Sequence, residues 1–155
     1  MAEKNAFISH YSKDDEHIQK LKGLLGGKDY TLKNSSIDST KPNAAKNEDY
    51  IKSMLRDRIR WASTVVVLVG PRTHTRDWVN WEIDQAQKMG KRIVGVYING
   101  AIGENIPEKL KEYGNALVGW TADNIIGAIE GTINTFINPD GSDWKSPYTI
   151  GRETC

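Results

Sequence analysis

Two apolar runs dominate the hydrophobic pattern, "TVVVLVG" (64–70) and "RIVGVYI" (92–98). Both are rich in β-branched residues and continuous rather than alternating. That predicts strands covered on both faces, as in a parallel sheet. "NAFIS" (5–9) and "NALVGW" (115–120) are weaker versions of the same signal, and "DYTLKNSSI" (29–37) reads as a more exposed strand.

Between these runs the apolar positions change to helical spacing. "DDEHIQKLKGLL" (14–25) places Ile18, Leu21, Leu24 and Leu25 on one side, with acids leading and lysines following, as the helix dipole favours. "NEDYIKSMLRDRIRWA" (47–62) carries Tyr50, Ile51, Met54, Leu55 and Ile59. "TRDWVNWEIDQAQKMG" (75–90) carries Val79, Ile83 and Ala86, with Gly90 placed to stop it. "TADNIIGAIEGTINTF" (121–136) carries Ile125, Ile126, Ile129 and Ile133, with Thr121 or Asp123 as cap, and "IPEKLKEYG" (106–114) reads as a short helix.

Strands alternating with helices predict an α/β domain, with about five parallel strands and helices on both faces. After Phe136 the periodicity dissolves into turn formers. The expected organisation is one domain over 1–137 and a tail or edge-covering arm over 138–155.

Composition adds mostly exclusions. The 155 residues carry a formal net charge of +1, with 26% charged and 38% hydrophobic positions. A near-neutral chain is not held to nucleic acid by a strong overall field. The single cysteine, Cys155, allows no internal disulfide, so a reducing compartment is expected. No signal-peptide pattern opens the chain, and no apolar run approaches the about 20 residues of a membrane span. The expectation is a cytoplasmic protein with neither nucleic acid nor membrane as partner.

In open parallel sheets, ligands bind beyond the carboxyl ends of the strands. Here those ends lead into "SHYSKDD", "SSIDSTKPNAAKNED" and "GPRTHTRDW", all polar. No G-x-G-x-x-G opens a helix after the first strand, and no G-x-x-x-x-G-K-[ST] or G-x-S-x-G occurs. The third strand ends in Gly70 rather than the acid a response regulator needs. His10, His17 and His74 lack metal-ligand spacing, so no metal is expected.

Glu82 is what remains. It follows Trp78 by four residues and lies beside the Val79, Ile83, Ala86 face, where helical spacing puts it at the solvent boundary. Its place near the helix N-terminus favours an ionised carboxylate. Such a group beside an aromatic ring suits an oxocarbenium-like transition state. Equally, a boundary glutamate on an amphipathic helix is ordinary. Other candidates are similarly open. Ser9 is either a ligand-binding hydroxyl or a turn cap, and His10 is either a base or an incidental loop residue. Asp38 is a pocket or a turn residue, and Arg76 meets phosphate or solvent. Trp81 reads as structural, and Lys88, Lys91 and Arg92 as complements to a helix end.

These residues resemble a known superfamily. "NAFISHYSKDD" looks like the first box of TIR domains, and "SMLRDRIRWASTVVVLVGPRTHTRDWVNWEIDQAQ" resembles their helix, strand and W-x-x-x-E helix. The pattern Thr75, Trp78, Val79, Trp81, Glu82, Ile83, Ala86 is similar to the TIR-like family of bacterial Thoeris anti-phage systems. The likeness spans roughly 5–136. The loop "SSIDSTKPNAAKNED" lacks the R-D-x-x-P-G of receptor-type TIR domains, which favours the Thoeris-like group.

The resemblance implies a flavodoxin-like TIR fold and cleavage of NAD⁺ at the nicotinamide–ribose bond. NAD⁺ is then the substrate, with no other cofactor. It implies Glu82 as the catalytic carboxylate, Phe7 and Ser9 at the pocket floor, Ser36 and Asp38 in a closing loop, and Trp78 as the motif tryptophan. It further implies an ADP-ribose-derived signal, cyclic in many members, acting on a separately encoded effector, and assembly of copies through TIR–TIR contacts. The rival reading is a non-catalytic TIR module that works by self-association alone.

Overall fold

The computed structural model describes residues 2–11, 16–34, 48–75, 77–98, 101 and 105–137. Among them are five strands: β1 (Ala2–Ser9), β2 (Tyr30–Asn34), β3 (Thr64–Val69), β4 (Arg92–Tyr97) and β5 (Ala116–Val118). Five α-helices alternate with them: α1 (Glu16–Gly26), α2 (Glu48–Trp61), α3 (Asp77–Lys88), α4 (Glu108–Tyr113) and α5 (Ala122–Glu130). The strands form one sheet in the order β2-β1-β3-β4-β5, and every pairing is parallel. This is the flavodoxin-like arrangement, in which strand order reverses between β1 and β3.

Two apolar layers explain the continuous runs. On one face Ala6, Ile8, Val66, Leu68, Val94 and Val96 pack against Leu21 and Leu25 of α1 and Ile125 and Ile129 of α5. On the other, Phe7, Val65, Val67, Val69 and Ile93 pack against Leu55 and Ile59 of α2, Val79, Ile83 and Ala86 of α3 and Leu110 of α4. Alternate residues of one strand supply opposite layers, so every position of β3 is buried. β2 lies at the sheet edge and alternates buried and exposed residues, as its mixed composition predicts.

The elements differ from expectation at two ends. β1 starts earlier than residue 5, because the polar stretch Ala2–Asn5 pairs only with edge strand β2. There Lys33 meets Glu3 at 3.3 Å. α5 stops at Glu130 instead of running to 136. Gly131 takes a left-handed φ of 95°, and the N–H groups of Gly131, Thr132 and Ile133 all turn back to the Gly127 carbonyl. The chain then runs beside β5, with Leu117 and Phe136 bridged in parallel register. Lys91 and Arg92 do complement helix ends, but those of other helices. Lys91 Nζ donates to the Arg60 carbonyl of α2, and Arg92 donates to Ala128 of α5 and to Ile133 just beyond it. Residues 138–155 lie outside the described residues.

Gly131 is the position where backbone conformation decides the residue. Gly131→Ala should lower unfolding free energy by about 1–2 kcal/mol, the cost of an L side chain in left-handed backbone. A shifted urea midpoint at constant slope checks this.

Candidate active site at the strand-order reversal

In open parallel sheets ligands bind at the carboxyl edge where strand order reverses, which here is between β1 and β3. α1 leaves β1 toward one face, and α3 leaves β3 toward the other. The turn between β3 and α3 is fixed from within. Thr73, fully buried, donates from Oγ1 to the Leu68 carbonyl and accepts from the Gly70 N–H at 2.8 Å. Asn105 Nδ2 donates to the Pro71 carbonyl. α4 is tied to α3 because Asn80 Oδ1 accepts the Lys109 N–H, one of the amides a helix start leaves unpaired. α3 is thereby held with its buried side against the ends of β1, β3 and β4.

Glu82 projects from that side. Its carboxylate accepts a hydrogen bond from Ser9 Oγ at 2.6 Å, with both groups buried. Ser9 is the last residue of β1 and pairs in register with Val67, which pairs with Gly95. Alternation puts Ser9 on the same face as Phe7 and Val67, under α3. The contact spans 73 positions of sequence and lies on the α3 side of the sheet.

The expectation of a boundary, ionised Glu82 is corrected here. The residue is only 9% exposed, and burial pushes its pKa up to about 8, against the lowering effect of the Ser9 hydrogen bond. Glu82 is the sixth residue of α3, more than a turn inside it, so little of the helix-end field reaches it. At neutral pH the proton is therefore mostly on.

The other candidates spread around this pair. Phe7 lies one pleat below Ser9, on the same face, and is 1% exposed. Its ring belongs to the core beneath the site. His10 is half-buried, and its Nδ1–H donates to the Ile8 carbonyl at 3.1 Å, which ties the ring back to its own strand end. Trp78 is 40% exposed, in the first turn of α3, and stands edge-on to Trp81 at 5.6 Å. The helix side that is buried at Glu82 thus emerges at the carboxyl edge at Trp78. Trp81 is half-buried between α3 and α2, with Arg56 and Lys52 of α2 over its ring. Ser36, Asp38 and Arg76 lie outside the described residues. Among the described residues, no group of three or more His, Cys, Asp or Glu is placed to hold a metal ion, and no helix is long and apolar enough to cross a membrane.

Sequence reasoning passed over Thr73. A threonine three residues after a strand-ending glycine is its only signal, and that spacing suits a hydroxyl that bonds back across a turn.

Two outcomes follow from the Ser9–Glu82 pair. Glu82 has a folded-state pKa above its ordinary 4.5, so its protonated form stabilises the fold below pH 4.5, and that stability is lost as pH rises through about 8. Glu82→Gln should therefore flatten the decline in melting temperature between these limits. At pH 8.5 it should exceed the wild type by an amount on the order of a few kcal/mol. Ser9→Ala removes the bond that favours the charged carboxylate, so carboxyl-carbon NMR should place the Glu82 titration higher than in the wild type.

Comparison with known proteins now adds to the geometry. A search of curated proteins finds no match. Among solved structures, the CMP N-glycosidase BcmB of Clostridium botulinum superposes with a TM-score of 0.50 at 18% identity, covering 84% of this chain and all of that one. A 2-deoxyribosyltransferase of Leishmania mexicana matches at 19% identity and a TM-score of 0.45, covering 62% of this chain and 65% of the enzyme's. At 18% identity the likeness to BcmB is one of fold alone. The family model of the TIR-like domain of the Thoeris protein ThsB matches residues 7–102. That segment holds the carboxyl end of β1, the α2–β3–α3 unit, Ser9 and Glu82. With more than half of its length under that model, the chain belongs to the Thoeris ThsB TIR-like family.

Proposed function

We propose that this domain cleaves NAD⁺ at the nicotinamide–ribose bond, with Glu82 as the catalytic carboxylate. It then passes an ADP-ribose-derived nucleotide, a cyclic one when the adenine ring captures the ribosyl cation, to a separately encoded defence effector. The observation that carries this reading is the buried Ser9–Glu82 pair at the strand-order reversal of a Thoeris TIR-like domain. The same fold carries an N-glycosidase in Clostridium botulinum, so the scaffold is compatible with breaking such a bond, although a fold alone assigns no reaction.

The chemistry suits the residue. Breaking the C1′–N bond sends its electron pair to the pyridinium nitrogen, so nicotinamide leaves neutral and needs no acid. The ribosyl carbon is left cationic, and a carboxylate in a site of low dielectric stabilises it strongly. A protonated Glu82 would do little. The substrate itself supplies the remedy, because a pyridinium cation within about 4–6 Å favours the ionised carboxylate. The ribosyl cation is then captured by the adenine ring or by water, and exclusion of water favours the cyclic product. Ser9 orients the carboxylate and offsets part of its burial cost.

The domain so read spans 1–137, with 138–155 as a tail or arm. It works in the cytoplasm as an assembly of copies joined by TIR–TIR contacts, with NAD⁺ as substrate and no other cofactor.

Purified protein incubated with NAD⁺ should release nicotinamide, and Glu82→Gln should slow release at least about 100-fold while remaining folded. Between pH 6 and 7, kcat/KM should rise about tenfold and then level off as pH passes about 8, because the free enzyme must lose the Glu82 proton. Anti-phage protection that persists undiminished in Glu82→Gln would replace the enzyme with a self-associating scaffold.

A further inference from the structure

Tyr97 ends β4 and pairs in register with Val69, the last residue of β3. Ser9, Val67 and Gly95 form a row across three strands beneath α3. Tyr97 lies two residues beyond Gly95, so it shares that face and stands one pleat, about 6.6 Å, nearer the carboxyl edge. Its ring belongs to the same packed layer as Phe7, Val79 and Ile83. The residue is 4% exposed, yet its hydroxyl has no hydrogen-bond partner among the described residues.

A buried phenol normally finds a partner, because desolvating the O–H without one costs stability. The rest of "RIVGVYI" is apolar between Arg92 and Ile98, so phenylalanine would fill this place without that cost. The other buried side-chain atom lacking a partner among the described residues is His17 Nδ1, on α1 against Trp120 at the opposite face. Tyr97 is the one on the Glu82 face. Burial pushes its pKa up to about 12, so the proton stays on at neutral pH.

We propose that the Tyr97 hydroxyl is a substrate-binding group that donates a hydrogen bond to an acceptor oxygen of the nucleotide held beside Glu82. This rests on the reading of the site as one for NAD⁺. The orphaned O–H is then satisfied only when the nucleotide is in place, and the empty protein carries the cost of keeping it ready.

The test is Tyr97→Phe, measured by thermal melting without ligand, by NAD⁺ binding calorimetry and by nicotinamide release. Losing an unsatisfied hydroxyl should raise the melting temperature by roughly 2–4 °C. Losing its bond to the nucleotide should weaken NAD⁺ binding roughly three- to tenfold, with KM rising in step and kcat changing less. Unchanged NAD⁺ affinity in the variant overturns the proposal, whatever the melting point does. A lower melting temperature also overturns it, because the hydroxyl then has a partner within the fold. A wild type that binds NAD⁺ without cleaving it removes the proposed reaction, while the two affinities still decide the role of Tyr97. A wild type that does not bind NAD⁺ overturns both.

Discussion

Strand β3 has apolar side chains from Val65 to Val69, and all six of its residues are buried. A strand of this kind must be covered on both faces and paired on both edges. β1 and β4 supply the edges, and helices following right-handed crossovers supply the faces. Because β2 is added outside β1, while β4 and β5 extend the opposite side, strand order reverses beside β3. That reversal separates α1 from α3, and Ser9 and Glu82 meet beside it. The placement of the site is therefore a consequence of which strand is most apolar.

The pair carries an internal tension. A carboxyl group on the buried side of α3 lowers stability when ionised, yet the ionised form is the one the proposed reaction requires. The Ser9 hydroxyl partly reconciles the two, since it donates to the carboxylate without adding charge. Thr73 acts one step further out, holding the β3–α3 turn that sets where Glu82 begins its approach. Polar groups in this otherwise apolar layer thus serve geometry more than stability.

How much of this was legible in the sequence depended on what each residue's signal was competing with. The runs at 64–70 and 92–98 have no competing reading, and both are strands. Gly90 was read as a helix stop and takes a φ of 72° after α3. Gly131 does the same work after α5, but Ile133 continues the helical spacing and hid it. Ile133 still faces the core, by way of a turn. Glu82 was found by its neighbours, but its burial was not, because helical periodicity alone puts a charged residue at the rim. Its hydrogen-bond partner is a hydroxyl from β1, 73 positions away. Tyr97 was legible merely as part of a strand, since a missing partner is a property of three-dimensional surroundings.

The segment that follows Gly131 has a bearing on self-assembly. Leu117 gives its N–H to Thr135 and its carbonyl to Ile137, so the outer ladder of β5 is occupied by the protein's own chain. An uncovered ladder of this kind is a template for edge-to-edge aggregation. Strand addition at β5 by another chain is thereby disfavoured, since polymerisation along this edge would first have to peel the protein's own backbone away.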